Sequence, residues 1–293
     1  MNPVFLLLAL LVSLLLGGCA SSTPRMAEVR AFAAEAPKLN AYHELTERYR
    51  SAYGRQQPFL SAEADARERV LDVARQQASA DFRTLDDVVQ AYMQALGALA
   101  GDRRYDLRDQ IKVVSSGIKA WPEAGVEDRH INAVAGLTRL IARSVTAPAQ
   151  ERAVNRLLRD GSAPMQQLLD AMRTLLRYYD KASDNEQKVV LGMLEMELPY
   201  LDNGRDRLLN ALARSLAQEK KAEYRLIGLR HTLARNNLDA IAARHHALIA
   251  SLPPEDPPPM PAQPSAASAV EPAPATAPAA GPMAAAAPIT VLP

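Results

Sequence analysis

The sequence predicts an all-α protein: an elongated helical bundle with long, coiled-coil-like first and last helices, followed by a disordered Pro/Ala-rich C-terminal tail. Three observations carry that prediction. Apolar residues recur at steps of three and four along residues 25–252, and no stretch alternates apolar and polar residues long enough for a strand. Caps, glycines and prolines punctuate those runs at helical lengths. From Pro253 the composition changes abruptly: 13 of the 21 prolines lie in the last 41 residues, mixed with Ala and Ser and without Lys or Arg.

The first run covers about 25–53. Val29, Phe32, Ala36, Leu39, Tyr42, Leu45, Tyr49 and Tyr53 share one face, with a bend expected near Pro37. Pro58 ends the run, and Ser61 is the expected N-cap of the next, which carries Val70, Val73, Ala74 and Ala78. Thr84 and Asp87 read as a capping pattern that opens a further helix through Leu85, Val88, Val89, Tyr92, Leu96 and Leu99, with Gly101 as its stop. Asp106 with Asp109 caps a segment holding Leu107, Ile111, Val114 and Ile118, closed by Trp121-Pro122 and a turn at Gly125.

Ile131, Val134, Leu137, Leu140 and Ile141 form the next stripe, ended near Pro148. A shorter one (Val154, Leu157, Leu158) stops at Gly161, and Ser162 with Pro164 opens a strong helix from Met165 to Tyr179. Ser183-Asp184-Asn185-Glu186 reads as a capping box before Val189, Val190, Met193, Leu194 and Leu198. Pro199 and the Asp202-Asn203-Gly204 turn end that helix. The last run, about 205–252, has no proline and one glycine, Gly228; Leu208, Leu209, Leu212, Leu216, Leu226, Leu229, Leu233, Ile241, Leu248 and Ile249 mark its apolar side. At about 1.5 Å per residue it extends roughly 70 Å, too far for a compact core, so its far half is expected to pair with the first helix as an antiparallel stalk. Glu219, Glu223, Arg230 and Asn237 interrupt one candidate seam. No repeated motif marks a solenoid.

The chain opens MNPVFLLLALLVSLLLGGCASS. Val4 to Leu16 is an apolar run of about 13 residues, short of the roughly 20 that cross a bilayer and the right length for a signal-peptide core. It ends in Leu16-Gly17-Gly18-Cys19, which resembles the lipobox of bacterial lipoproteins. The n-region departs from the usual pattern in having no Lys or Arg. The resemblance implies cleavage before Cys19, a diacylglycerol on its sulfur and an acyl chain on the new amine. Several acyl chains anchor stably where one is marginal. Ala20 stands where an inner-membrane retention signal typically places Asp, which implies the outer membrane, facing the periplasm. The chain then divides into a signal peptide (1–18), a lipidated N-terminus and spacer (19–24), a helical domain (25–252) and the tail (253–293). Cys19 is the only cysteine, so no intramolecular disulfide or cysteine metal cage can form.

The remaining residue types exclude more than they assign. Formal net charge is +1, without the basic footprint of a nucleic-acid binder. No Gly-x-Ser-x-Gly elbow, Walker loop or Gly-x-Gly-x-x-Gly occurs. His43, His130, His231, His245 and His246 offer no His-x-x-x-His pair, and His245-His246 read as a solvated helix face. Asp86-Asp87, Asp106/Asp109 and Asp184/Glu186 read as helix-start carboxylates. Met165, Met172, Met193 and Met196 read as core filler, and Tyr42, Tyr49, Tyr53, Tyr178 and Tyr179 as amphipathic bundle-edge residues. No catalytic residue, cofactor or metal is expected, and Trp121, in its loop beside Pro122, is the candidate interaction residue. The expected function is that of a lipid-anchored cell-envelope protein: a non-enzymatic helical scaffold or adaptor that binds an envelope protein or peptidoglycan. Its tail, at about 3.1 Å per residue in polyproline II, would reach on the order of 100 Å. The alternatives are a periplasmic inhibitor or immunity lipoprotein, and a wall-active enzyme or its activator. An enzyme would need a pocket with converging polar groups.

Overall fold

In a computed structural model, seven α-helices and four short 3-10 turns account for nearly all of the described residues, 24–102, 104–105, 117–144, 150–201 and 206–254. The expectations for the signal peptide, Cys19, the Asp106/Asp109 cap and the tail beyond Pro254 lie outside them. The only strand-like feature among the described residues is an isolated antiparallel bridge between Trp121 and Val126. The described residues from Pro24 to Leu252 belong to one compact unit.

The first run divides as Pro37 requires. Helix α1 (Pro24–Ala33) gives way to a 3-10 turn (Ala36–Leu39), then α2 (Asn40–Arg50) and the short α3 (Ala52–Gln56). Ser61 caps α4 (Ala62–Leu99), its hydroxyl accepting from the Ala64 amide at 3.3 Å. Beyond Trp121 come α5 (Asp128–Ser144), α6 (Glu151–Glu197) and α7 (Arg207–Ala250).

Three internal caps read from the sequence are absent. Helix α4 runs unbroken for 38 residues through Thr84, whose hydroxyl donates to the Ala80 carbonyl at 3.0 Å instead of capping a new helix. Helix α6 runs for 47 residues through Gly161, Pro164 and the Ser183–Glu186 box. Proline inside a helix sacrifices a backbone hydrogen bond, at about 3 kcal/mol. Here continuity keeps Leu157, Leu158, Met165, Leu168 and Leu169 all buried, which outweighs that local preference. Gly161 also has a packing reason: a Cβ there would lie 2.5 Å from the buried ring of Tyr92 on α4.

Helix α6 is the central strut, packed on α4, α5 and α7. The main core joins α1, α2, α4, α5, α6 and the C-terminal half of α7 around Phe32, Tyr42, Phe82, Tyr92, Leu137, Met172 and Ile241. A smaller cluster, Val190, Leu191, Leu194, Ala217 and Tyr224, closes the other end of the α6–α7 hairpin. The 44-residue α7 does contact α1 and α2 with its far half, but α6 is its principal neighbour along the length.

Candidate functional site

Two features of the α2–α6–α7 side stand out, a buried charge network and an apolar face beside it. Glu186 sits on the core face of α6, in step with Tyr179, Val190 and Leu194, and is almost fully buried. Its carboxylate accepts a two-pronged pair from Arg55 (Nε to Oε1 3.0 Å, Nη2 to Oε2 2.7 Å), a bond from Arg48 Nη2 at 3.1 Å, and one from the Tyr224 hydroxyl at 3.3 Å. Arg48 Nη1 also meets Glu223 at 2.8 Å. Burial pushes the Tyr224 phenol up, and the adjacent Glu186 charge adds to the effect. Burial also acts to raise Glu223, but hydrogen bonds from Lys220 and Arg48 outweigh it and hold that carboxyl below its ordinary value.

Above this network opens a cleft of about 470 Å³, lined by Arg48, Arg50, Arg55 and Arg230 with Glu44 and Glu47. Its guanidinium groups are engaged within the chain: Arg55 and Arg48 as above, Arg230 with Glu44, and Arg50 with Gln76 at 2.9 Å. The arginines therefore lock α2, α3, α6 and α7 together instead of waiting for an anion.

The apolar face lies on α7. Of the residues that mark the apolar side in the sequence, Ile241 and Leu248 face the bundle and Leu216 packs on its smaller cluster, but Leu208, Leu209, Leu212, Leu226, Leu229 and Leu233 do not; the inward face is Ala217, Tyr224, His231, Ala234, Leu238, Ile241, His245 and Leu248. Leu226, Leu229 and Leu233 point outward at 64%, 61% and 52% exposure. With Glu223, Ile227 and Arg230 they line a shallow groove of about 400 Å³ that adjoins the arginine cleft. Nearer the hairpin end, Leu208, Leu209 and Leu212 are exposed, as are Met193, Met196 and Tyr200 across from them on α6 and the following turn. Of the four methionines read from the sequence as core filler, Met165 and Met172 are buried in the core, whereas Met193 and Met196 are not.

The histidines and Asp86 also depart from expectation. His245 is fully buried, with Nε2 at 3.0 Å from the Tyr92 hydroxyl and Nδ1 at 3.4 Å from Gln166 Nε2. Burial, helped by His246, pushes its pKa down to about 4. Of the pair, only His246 is solvated. Asp86 is mid-helix and buried, not a helix-start residue. It accepts from Gln90 at 3.0 Å and faces His43 Nδ1 at 3.5 Å. Burial raises the Asp86 carboxyl, while the hydrogen bond to Asp86 raises His43. Tyr42, Tyr49 and Tyr179 are core residues, with Tyr49 and Tyr179 stacked at 5.0 Å. Each of these polar residues lies in phase with an apolar stripe (Phe82, Asp86, Val89, Met93; Leu238, Ile241, His245, Leu248), a signal that periodicity offers directly.

Trp121 is half-buried against the core. Its indole N–H donates to Asp81 at 2.7 Å and its ring meets Phe82 edge-on at 6.3 Å. The Gly125 turn, at φ +80°, folds the loop back so that Trp121 and Val126 pair. Among the described residues no group of three or more His, Cys, Asp or Glu side chains is arranged to hold a metal ion, and no helix is long and apolar enough to cross a membrane. Compared with protein-family models, characterised proteins and solved structures, the chain has no match.

Proposed function

We propose that this chain is a lipid-anchored envelope adaptor, held at Cys19 and probing for a protein partner with the exposed apolar end of its α6–α7 hairpin. What supports the reading is a contrast on one molecule. The roughly 470 Å³ cleft is lined by arginine–carboxylate pairs that tie helices together, whereas Met196, Leu208 and Leu212 stand out in solvent as an apolar surface suited to a partner. The lipobox-like Leu16-Gly17-Gly18-Cys19 supplies the tether, and the outer membrane is its proposed address. Crosslinking and pull-down from intact envelopes tests both halves. Wild type is expected to retain a partner that Met196→Asp/Leu208→Asp loses, and Cys19→Ser is expected to lose the processing and fractionation of the wild-type chain. A partner recovered equally with the double variant removes the docking surface; a Cys19→Ser chain processed and fractionating like wild type removes the anchor.

A further inference from the structure

We propose that the middle of the outer face of α7 is a self-association surface, on which α7 of a second copy packs antiparallel. This surface is separate from the hairpin end assigned above. Ala222, Leu226, Leu229 and Leu233 follow steps of four, three and four, the spacing of a coiled-coil seam, and all are exposed. A helix that is apolar on a second face needs a second neighbour.

The residues around the seam select what that neighbour is. Let two copies of α7 cross antiparallel with Leu226 of one against Leu229 of the other. Twofold symmetry then repeats that layer, and the flanking layers set Leu233 against Ala222, large against small. The next layer out pairs Glu219 with Asn236, so polar residues end the seam on both sides. On one flank Glu223 of each copy comes opposite Arg230 of the other; both are already paired within their own chain, with Arg48 and Glu44, so this flank brings no like charges together. A parallel pair has neither advantage: Glu219 would face Glu219, and Arg225 would flank Arg230, like against like. The stripe is thus complementary to itself in one orientation only.

The size is adequate for a weak dimer. Three leucines more than half exposed, with Ala222, present on the order of 300 Å² of apolar surface per copy. With the stems of Arg225 and Arg230 the two sides together approach the roughly 1,000 Å² at which specific interfaces begin. Confinement to one membrane leaflet, which rests on the anchor proposed above, raises the effective concentration further. Arg25 at the start of α1 binds the Ser251 carbonyl at the end of α7, so antiparallel pairing puts the two tethered ends at opposite ends of the pair and requires α7 to lie along the membrane surface.

The test is cysteine crosslinking of the full chain in intact cells. Ala222→Cys/Leu233→Cys is expected to give, on oxidation, a band of twice the chain's mass. Glu219→Cys is expected to give none, since antiparallel pairing leaves those positions about 25 Å apart at about 1.5 Å per residue. Adding Leu226→Glu to the double-cysteine chain should cut the crosslinked fraction at least tenfold while helix content by circular dichroism stays unchanged. Absence of the doubled band, an equal band from Glu219→Cys, or an equal band with Leu226→Glu overturns the proposal, as does a crosslinked band whose mass identifies a different protein.

Discussion

Acid should unfold this protein partly through one residue. His245 lies between α1, α4 and α6, fully buried beside Phe32 and Tyr92. The Tyr92 hydroxyl donates to the Leu157 carbonyl at 3.3 Å, which leaves its oxygen to accept from an Nε2–H, while Nδ1 accepts from Gln166. The partners thus assign the neutral Nε2–H tautomer. In the unfolded chain a histidine titrates near 6.5, whereas burial holds His245 at about 4 in the fold. A folded pKa below the unfolded one means that the unfolded state binds the proton first as pH falls. The stability tied to a neutral His245 is therefore intact above about pH 6.5, is lost on the way down, and is gone below about pH 4. At about 1.4 kcal/mol per pH unit the loss across that window is about 3 kcal/mol, a large share of a typical domain's stability. His130 and His231, also lowered chiefly by burial, act in the same direction, so the comparison must be against a variant. His245→Gln keeps an N–H for Tyr92 and cannot titrate. Guanidinium unfolding of both chains at pH 7 and pH 4 should show a smaller acid loss for the variant, by about 3 kcal/mol. Equal acid losses in the two chains would refute the assignment of a buried neutral imidazole.

Other perturbations probe the remaining structure. Gly161→Ala drives a methyl into Tyr92, which cannot retreat while it holds His245 and the Leu157 carbonyl; a loss of about 2–3 kcal/mol is expected in denaturant unfolding. Glu186→Gln leaves Arg48 and Arg55 without their shared carboxylate, at about 3 kcal/mol, the low end for a broken buried pair because both arginines keep some solvent access. A thermal midpoint unchanged by this substitution would mean that the network contributes nothing to the fold. Asp86→Asn should bring His43 back toward 6.5 in an NMR titration, because the hydrogen bond that His43 donates to the Asp86 carboxylate is what raises it. Both Asp86 and His43 are raised in the fold, so each makes stability decline as pH rises through its folded pKa; the Asn variant should show a flatter profile, above about pH 4 for the share of Asp86 itself and above about pH 6.5 for that of His43.

The sequence by itself determined the helical class, the divided first run at Pro37, the Ser61 cap, the unbroken last helix and the compositional break at Pro253. These are local matters: proline lacks an N–H, a serine hydroxyl satisfies an orphan amide, and apolar spacing sets the buried stripe. Tertiary structure decided which caps were real. Thr84 and Ser183 have the chemistry to start helices, but α4 and α6 run through them, because breaking either would expose core residues on both sides. It also decided which polar residues went inside. His245, Asp86 and Glu186 carry no local mark that separates them from solvated neighbours except their phase on an apolar stripe. Only the arrival of Tyr92, His43, Arg48 and Arg55 from distant helices supplied the partners that make their burial tolerable. The leucines of α7 are the converse. Their periodicity announced an interface, but the packing of α6 against Ala217, Tyr224 and Ala234 turned that face outward, since one helix can present only one side to its own bundle.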